Sequence, residues 1–118
     1  MKIIEYDNFK VQPLAGALGA EILDIDLNTI NDSVFEEIYK AFVDYQVIGI
    51  PNQNLSPDQY LAFGRRWGEI HHYPYMKGLE THPEILEILK TETDTYAFGN
   101  VWHSDGSFTE VPPKATML

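Results

Sequence analysis

His103 and Asp105 are the residues whose types and spacing point most directly to chemistry, and they lie in the segment NVWHSDGSF at residues 100–108. In a β-strand, side chains at positions i and i+2 face the same side and lie roughly 6.6 Å apart along the backbone. Two ligating side chains can close this separation onto one ion. A neutral imidazole and a carboxylate suit a divalent first-row metal ion, so the pair predicts a metal site. The ordinary alternative is a chance triplet in an exposed loop, with His103 hydrogen-bonded to its neighbour.

The residues around this pair favour the metal site. Trp102 and Phe108 place aromatic surface on both sides of it, while Gly106 and the Pro112-Pro113 pair indicate a turn and an irregular exit. With a second histidine, such a pair forms the facial triad of non-haem Fe(II) oxygenases, which leaves coordination positions open for a co-substrate and oxygen.

The run Trp102-His103-Ser104-Asp105, with Ser107-Phe108 and Pro112-Pro113 after it, resembles the metal-binding segment of the taurine dioxygenase (TauD/TfdA) family of Fe(II)- and 2-oxoglutarate-dependent oxygenases. Further matches occur upstream in the same order: Pro13-Leu14, Gly16, Gly19 to Ile22, Gln46 to Ile48, Gln59, Phe63-Gly64 and Gly68 to His71. Several ordered matches are more specific than a single triplet.

The resemblance implies that His103 and Asp105 are the first two iron ligands, with Trp102 and Phe108 packed around the metal. It also implies Fe(II), 2-oxoglutarate as co-substrate, O2, and a small organic acid such as a sulfonate as the molecule to be hydroxylated. In the family, the remaining histidine ligand and the arginine that binds 2-oxoglutarate lie far downstream, whereas this sequence ends at Leu118. We therefore expect the N-terminal part of such an enzyme, truncated either in its gene or in the piece that is expressed.

Three further residues are candidates for substrate binding by the same resemblance. His72 and Tyr75 keep the spacing of a His-x-x-Tyr pair that contacts substrate in the taurine enzyme, and Asn100 lies close to the position of a substrate-contacting asparagine. An alignment without gaps instead places Tyr73 at the histidine and Gly99 at the asparagine. The alternative for each candidate is an ordinary surface role.

Two other functions compete with the dioxygenase. The first is a noncatalytic, self-associating fragment of such an enzyme. The second is a hydrolytic zinc site on His103 and Asp105, completed by His71 or His72, which requires these side chains to lie close together.

Composition excludes some classes of protein. Eighteen acidic residues against eight basic ones give a formal charge of −10, which repels nucleic acid and anionic membranes at long range. The sequence has no cysteine, which excludes disulfides and thiolate sites, and charges at Lys2, Glu5 and Asp7 come too early for a signal peptide. No apolar run approaches the roughly 20 residues of a membrane helix. These features predict a cytoplasmic protein that binds neither nucleic acid nor membrane.

The hydrophobic pattern predicts an α+β protein. We expect strands over Phe9–Leu14, Ala20–Ile25 and Val47–Ile50, a helix capped near Asn31-Asp32-Ser33, and a second helix that starts at Ser56-Pro57-Asp58 and ends at Gly68. The hydrophobic pattern of Glu84–Lys90 fits either a helix or a strand. The resemblance favours a strand there, followed by another strand that carries the metal motif. Lys114–Leu118 reads as the beginning of one more strand.

The resemblance further implies a partial double-stranded β-helix, the jelly roll of clavaminate synthase-like proteins, with flanking helices. No linker or repeat divides the sequence, so residues 1–118 are predicted to be a single domain, the N-terminal part of a dioxygenase domain whose C-terminal part is missing. A partial barrel exposes unpaired strand edges, and we therefore expect a homo-oligomer.

Overall fold

The computed structural model describes residues 2–97 and 99–118, and these form two compact units that divide between Arg66 and Trp67. The first unit contains all of the helices and strands of the described residues. The prediction of a single domain is not tested by this division and stays a prediction.

A small mixed sheet forms the framework of the first unit. Its strands are β1 (Ile4–Glu5), β2 (Lys10–Pro13), β3 (Ala20–Leu23) and β4 (Ile48–Gly49), in the spatial order β1-β2-β3-β4. The first three strands pair antiparallel, and β4 pairs parallel with β3. The three predicted strands are therefore confirmed in shorter form, while β1 was not predicted.

The first helix, α1 (Asp32–Tyr45), begins as the sequence predicts. The side chain of Asn31 accepts a hydrogen bond of 3.0 Å from the Val34 amide, which satisfies one of the unpaired N–H groups of the first turn. At the other end, the amide of Gln46, whose φ is 66°, donates to the carbonyl of Phe42.

The second helix, α2 (Pro57–Arg66), starts with a reciprocal capping arrangement. The Gln59 amide donates to Ser56 Oγ at 3.3 Å, and the Ser56 amide donates to Gln59 Oε1 at 2.8 Å. The helix ends at Arg66, whose guanidinium binds the Asp32 carboxylate at 2.7 Å. In the described part of the chain, neither helix is long and apolar enough to cross a membrane.

The hydrophobic core lies between this sheet and these helices. Among the residues that the structure describes, eight apolar side chains are buried, and all belong to the first unit: Phe9, Val11, Ala20, Ile22, Ile38, Ala41, Leu61 and Phe63. The alternation along β3, where Ala20 and Ile22 are buried, gives the sheet one face toward the core. This packing holds the sheet and the two helices of the first unit together.

The second unit is made of turns and extended loops in its described residues, 67–97 and 99–118. The strands predicted over Glu84–Lys90, around the metal motif and at Lys114–Leu118 are therefore wrong for this structure. The backbone N–H and C=O groups of a strand need hydrogen bonds to a neighbouring strand. Here short-range bonds take their place: the Ile85 amide donates to the His82 carbonyl at 2.9 Å, and the Leu79 amide donates to the Ile85 carbonyl at 2.9 Å.

Candidate metal centre

His103 and Asp105 lie side by side in the second unit. Nε2 of His103 is 3.3 Å from Oδ1 of Asp105, and the two side chains are 48% and 52% exposed. The predicted pairing is thus present, although a loop and not a strand brings the two groups together. The half-exposed position leaves both groups open to solvent and to an ion.

The other ring nitrogen of His103 fixes the direction of the imidazole. Nδ1 is 2.6 Å from the carbonyl oxygen of Val101. Because a carbonyl can only accept, Nδ1 carries the proton in this contact, and in a neutral ring the lone pair on Nε2 then faces Asp105. A ligating histidine commonly has its second N–H held by a carbonyl or carboxylate in this way.

His103 Nε2 and Asp105 Oδ1, 3.3 Å apart, are close enough to bind one ion together. Histidine nitrogen and carboxylate oxygen bind ions such as Zn²⁺ at about 2.0–2.2 Å, so two ligands at right angles lie about 3 Å apart. The observed separation is close to this value. Imidazole and carboxylate donors also suit iron, so the pair fits two neighbouring ligands of a divalent first-row ion.

Two glycines shape the loop that carries the pair. Gly99 and Gly106 have φ angles of +74° and +61°, in the left-handed region that residues with a Cβ rarely adopt. A Cβ on Gly106 would also lie 2.8 Å from two ring carbons of Pro113. Across Gly106, Ser104 Oγ and Ser107 Oγ share a hydrogen bond of 2.6 Å. The backbone on both sides of His103 and Asp105 thus depends on particular residues.

Comparison with known proteins gives a consistent result. The model of the family described as "Taurine catabolism dioxygenase TauD, TfdA family" matches residues 10–118. The chain belongs to the TauD/TfdA family. The match includes His103, Asp105 and the first unit from β2 onward.

Individual relatives in this family act with alpha-ketoglutarate, another name for 2-oxoglutarate. The chain is 30% identical over 110 residues to an alpha-ketoglutarate-dependent sulfate ester dioxygenase of Pseudomonas putida, covering 92% of this chain and 36% of the relative. It is 25% identical over 114 residues to an (S)-phenoxypropionate/alpha-ketoglutarate-dioxygenase of Sphingobium herbicidovorans, covering 93% of this chain and 39% of the relative. The chain therefore spans little more than a third of the length of these relatives.

A solved structure shows the same likeness. A taurine dioxygenase from Burkholderia xenovorans superposes with a TM-score of 0.59 at 28% identity, covering 64% of this chain and 28% of that one. The fold of the matched part is therefore that of a TauD/TfdA dioxygenase, built here from a mixed sheet and two helices.

The sequence pattern predicts two metal ligands in this chain, His103 and Asp105, and these two side chains lie 3.3 Å apart. Among residues 2–97 and 99–118, no third histidine, cysteine, aspartate or glutamate joins His103 and Asp105 in a group that could hold a metal. The zinc alternative, which needed His71 or His72 beside this pair, is therefore wrong for the described residues.

The predicted substrate residues are distributed along the loops of the second unit. Asn100 lines a shallow surface depression of about 450 Å³ together with Gly99, Val101, Trp102 and His103. His72 is exposed, and the ring of Tyr75 lies 5.5 Å from that of Tyr73. Substrate-binding roles for His72, Tyr75 and Asn100 stay predictions.

Trp102 and Phe108, the aromatic residues of the metal motif, were expected to pack together around the metal, and the structure gives them different surroundings. The Trp102 side chain is fully exposed in this structure. Phe108 instead contacts two tyrosines, with ring centroids 6.4 Å from Tyr73 and 5.9 Å from Tyr75. Tyr73 was not among the predicted site residues, and the gapless alignment that placed it at the family's histidine was the signal for it.

Proposed function

We propose that this chain contributes the iron-binding His103 and Asp105 of a dioxygenase that uses Fe(II), 2-oxoglutarate and O2 to hydroxylate a small organic acid. The observation that carries the proposal is the 3.3 Å approach of His103 Nε2 to Asp105 Oδ1, within a chain that matches the TauD/TfdA family over residues 10–118. The jelly-roll arrangement of the complete domain and a cytoplasmic location belong to the same proposal.

When bound, Fe(II) and 2-oxoglutarate supply the oxidising chemistry: O2 is consumed as the oxoacid loses CO2 to become succinate and a substrate C–H becomes C–OH. The residues of this chain bind the metal ion and orient its ligands. The Val101 carbonyl keeps the His103 ring turned so that Nε2 points toward Asp105. The Asp105 carboxylate supplies the negative charge that a divalent cation requires beside a neutral imidazole.

The class of substrate is inferred from the relatives. Their names include a sulfate ester dioxygenase and a phenoxypropionate dioxygenase, and a 25% identical protein of Schizosaccharomyces pombe is described as acting on sulfonates. Phenoxypropionate and sulfonates are organic acids, and a sulfate ester joins an organic group to sulfuric acid. We therefore propose a small organic acid, such as a sulfonate, for this protein.

Anaerobic titration of the purified chain with Fe(II), with and without 2-oxoglutarate, tests the proposal. We expect a weak visible metal-to-ligand absorption band when both are present, and we expect His103→Ala to abolish it. His71→Ala is the matched control, because His71 is an exposed histidine of the same unit outside the pair. A band that survives His103→Ala but is lost in His71→Ala would contradict the proposed ligands.

The edges of the sheet support a second candidate, a noncatalytic fragment that self-associates. The strands β1 and β4 are the two edges of the sheet, and Ile4 in β1 and Val47 next to β4 are 42% and 58% exposed. Unpaired edges with exposed apolar side chains are places where chains associate. Sedimentation equilibrium of the metal-free chain, together with the titration above, separates the two: oligomers without the band favour the noncatalytic fragment.

A further inference from the structure

Asp105 is followed by Gly106, and this is the only Asp-Gly dipeptide in the sequence, which contains no Asn-Gly. The backbone nitrogen of the residue after an aspartate can attack the carboxyl carbon of that aspartate and close a cyclic imide, a succinimide. A side chain on the following residue hinders the attack, so glycine, which has no Cβ, permits it most readily. The dipeptide therefore places two groups that can react with each other inside the candidate metal centre.

The structure leaves both reacting groups accessible. The Asp105 side chain is 52% exposed. The Gly106 carbonyl accepts hydrogen bonds from the Thr109 amide at 3.2 Å and from the Thr109 hydroxyl at 2.8 Å. Within residues 2–97 and 99–118, however, no group accepts a hydrogen bond from the Gly106 amide. Because neither a helix nor a strand holds this nitrogen, it is available to the Asp105 carboxyl carbon.

The shape of the loop requires the glycine that makes Asp105 reactive. Gly106 has a φ of +61°, and a Cβ added there would lie 2.8 Å from two ring carbons of Pro113. A larger residue would therefore strain the turn. The reactive dipeptide is thus a consequence of the way the chain turns after the proposed ligands.

We infer that Asp105-Gly106 is a site of spontaneous isoaspartate formation, a modification that removes one of the two proposed metal ligands. The Gly106 nitrogen bonds to Cγ of Asp105, and one carboxyl oxygen leaves as water with the amide hydrogen and one carboxyl hydrogen. Water then opens the imide at its main-chain carbonyl, which breaks the bond between that carbonyl carbon and the Gly106 nitrogen. The two steps release and consume one water molecule, so no oxidant, reductant or other co-reactant is needed.

The modification changes the geometry of the candidate site. In isoaspartate the main chain runs through the former side chain, which lengthens it by one methylene, about 1.5 Å. The free carboxylate is then attached directly to Cα of residue 105, so the 3.3 Å approach of Asp105 Oδ1 to His103 Nε2 is lost.

A bound metal ion should oppose the modification, an expectation that rests on the proposed iron site. An ion held by both His103 and Asp105 keeps the carboxylate directed toward His103 and away from the Gly106 nitrogen. The metal-free chain is therefore the form in which we expect Asp105 to be modified.

Two other aspartates serve as internal references, because their carboxylates have partners and the residues after them carry side chains. Asp32 precedes Ser33 at the start of α1, and its carboxylate binds Arg66 at 2.7 Å. Asp94 accepts two hydrogen bonds from Thr91 and is followed by a β-branched residue. We expect both to form isoaspartate far more slowly than Asp105 does.

The experiment is a prolonged anaerobic incubation of the chain at neutral pH in water enriched in oxygen-18, with and without Fe(II) and 2-oxoglutarate. Trypsin then releases residues 91–114, which contain both Asp94 and Asp105 and are flanked by cleavage after Lys90 and Lys114. Mass spectrometry with electron-transfer fragmentation locates isoaspartate and the oxygen-18 atom gained when the imide opens. We expect both at residue 105, with background levels at Asp94 and Asp32. Fe(II) with 2-oxoglutarate should lower the rate at residue 105.

Three variants test the chemistry. Asp105→Glu requires a larger ring and should abolish the modification, and Gly106→Ala should lower it to the level of Asp32. Asp105→Asn closes the same imide by releasing ammonia and leaves Gly106 in place, so it reports on the loop even if Gly106→Ala disturbs the turn. This variant should lose its new amide faster than Asn100 does, an exposed asparagine in the same loop that precedes a valine.

The inference is overturned if residue 105 gains no more isoaspartate than Asp94 and Asp32, or if Asp105→Asn releases ammonia no faster than Asn100. The Fe(II) titration separates this result from the proposed function. A His103-dependent band in a chain that forms no isoaspartate keeps the dioxygenase proposal and contradicts this inference. Isoaspartate that forms at residue 105 equally fast with and without Fe(II) supports the modification site and contradicts Asp105 as an iron ligand.

Discussion

The two units of this chain place their apolar side chains in opposite environments. In the first unit they enter a core that includes the fully buried Val11, Ile22 and Ile38. In the second unit large apolar residues such as Leu89, Tyr96 and Val111 are exposed. The candidate metal ligands His103 and Asp105 belong to the second unit. Burial therefore stabilises one part of the molecule, whereas the residues proposed to act chemically lie on loops of the other.

This contrast has a physical basis that is common in enzymes. A loop residue is free to face a ligand because core packing does not hold its side chain, and binding residues are concentrated on loops for that reason. The geometry of the His103–Asp105 pair instead depends on local features, chiefly the Val101 carbonyl and the conformation of Gly106. The two units should accordingly respond to mutation in different ways.

The largest expected effect is on the core. Ile38→Ala should lower the free energy of unfolding by about 2–5 kcal/mol, because the Ile38 side chain is fully buried in α1 and its truncation leaves a cavity. Urea denaturation followed by far-ultraviolet circular dichroism measures the change. The matched variant in the second unit is Ile88→Ala, at a side chain that is 53% exposed, and it should change the free energy by less than about 0.5 kcal/mol. Similar losses for the two variants would show that the units are not distinguished by burial.

A smaller effect is expected from the loop that holds His103 and Asp105, the proposed metal ligands. Gly106→Ala places a Cβ in the left-handed region, which costs about 1–2 kcal/mol, and within 2.8 Å of the ring carbons of Pro113. If Fe(II) binding needs the present conformation of the loop, the variant must take up this strain to bind, and its apparent Fe(II) affinity should fall about 5- to 30-fold. The titration with Fe(II) and 2-oxoglutarate measures it. Gly16→Ala is the control, since nothing lies within 4 Å of the added Cβ at that glycine. An equal loss of Fe(II) affinity in this control would show that the Gly106 turn has no specific role in binding.

The same contrast explains which structural predictions from the sequence succeeded. The helix starts at Asn31 and Ser56 were predicted because a cap depends on residues within one turn, and the return hydrogen bond from the Ser56 amide to Gln59 is an addition by the structure. The strand expected at Glu84–Lys90 failed because a strand depends on a distant partner, which residue types alone do not reveal. β1 was missed because two residues are too short to show a period.

The candidate site divides along the same line. His103 and Asp105 were identified because they are near neighbours with ligand chemistry, although the strand expected to carry them is a loop in the structure. The contact of Tyr73 with Phe108 joins residues far apart in the sequence, so spacing could not predict it. Family resemblance supplied what local spacing did not, namely the kind of metal and co-substrate to test.

The smallest effect concerns a turn of the second unit that local hydrogen bonds hold without burial. The Asp94 carboxylate accepts hydrogen bonds from the backbone amide of Thr91 at 2.6 Å and from its hydroxyl at 2.8 Å, and these bonds, the amide first, lower the pKa of Asp94 below its ordinary value. Since the folded pKa is the lower one, the stabilisation is present above the unfolded pKa and is lost as the pH falls through the folded pKa.

NMR titration of the Asp94 carboxyl, in the folded chain and in urea, should therefore give the lower pKa in the folded chain. Thr91→Val removes only the hydroxyl, so it should raise the pKa of Asp94 part of the way toward its ordinary value while the amide bond keeps it lowered. Thr81→Val is the matched control, at an exposed threonine elsewhere in the same unit. Equal pKa values in the folded and unfolded chains would mean that this turn is not held by its side chain, and the contrast between a unit fixed by burial and one fixed by local bonds would then need another basis.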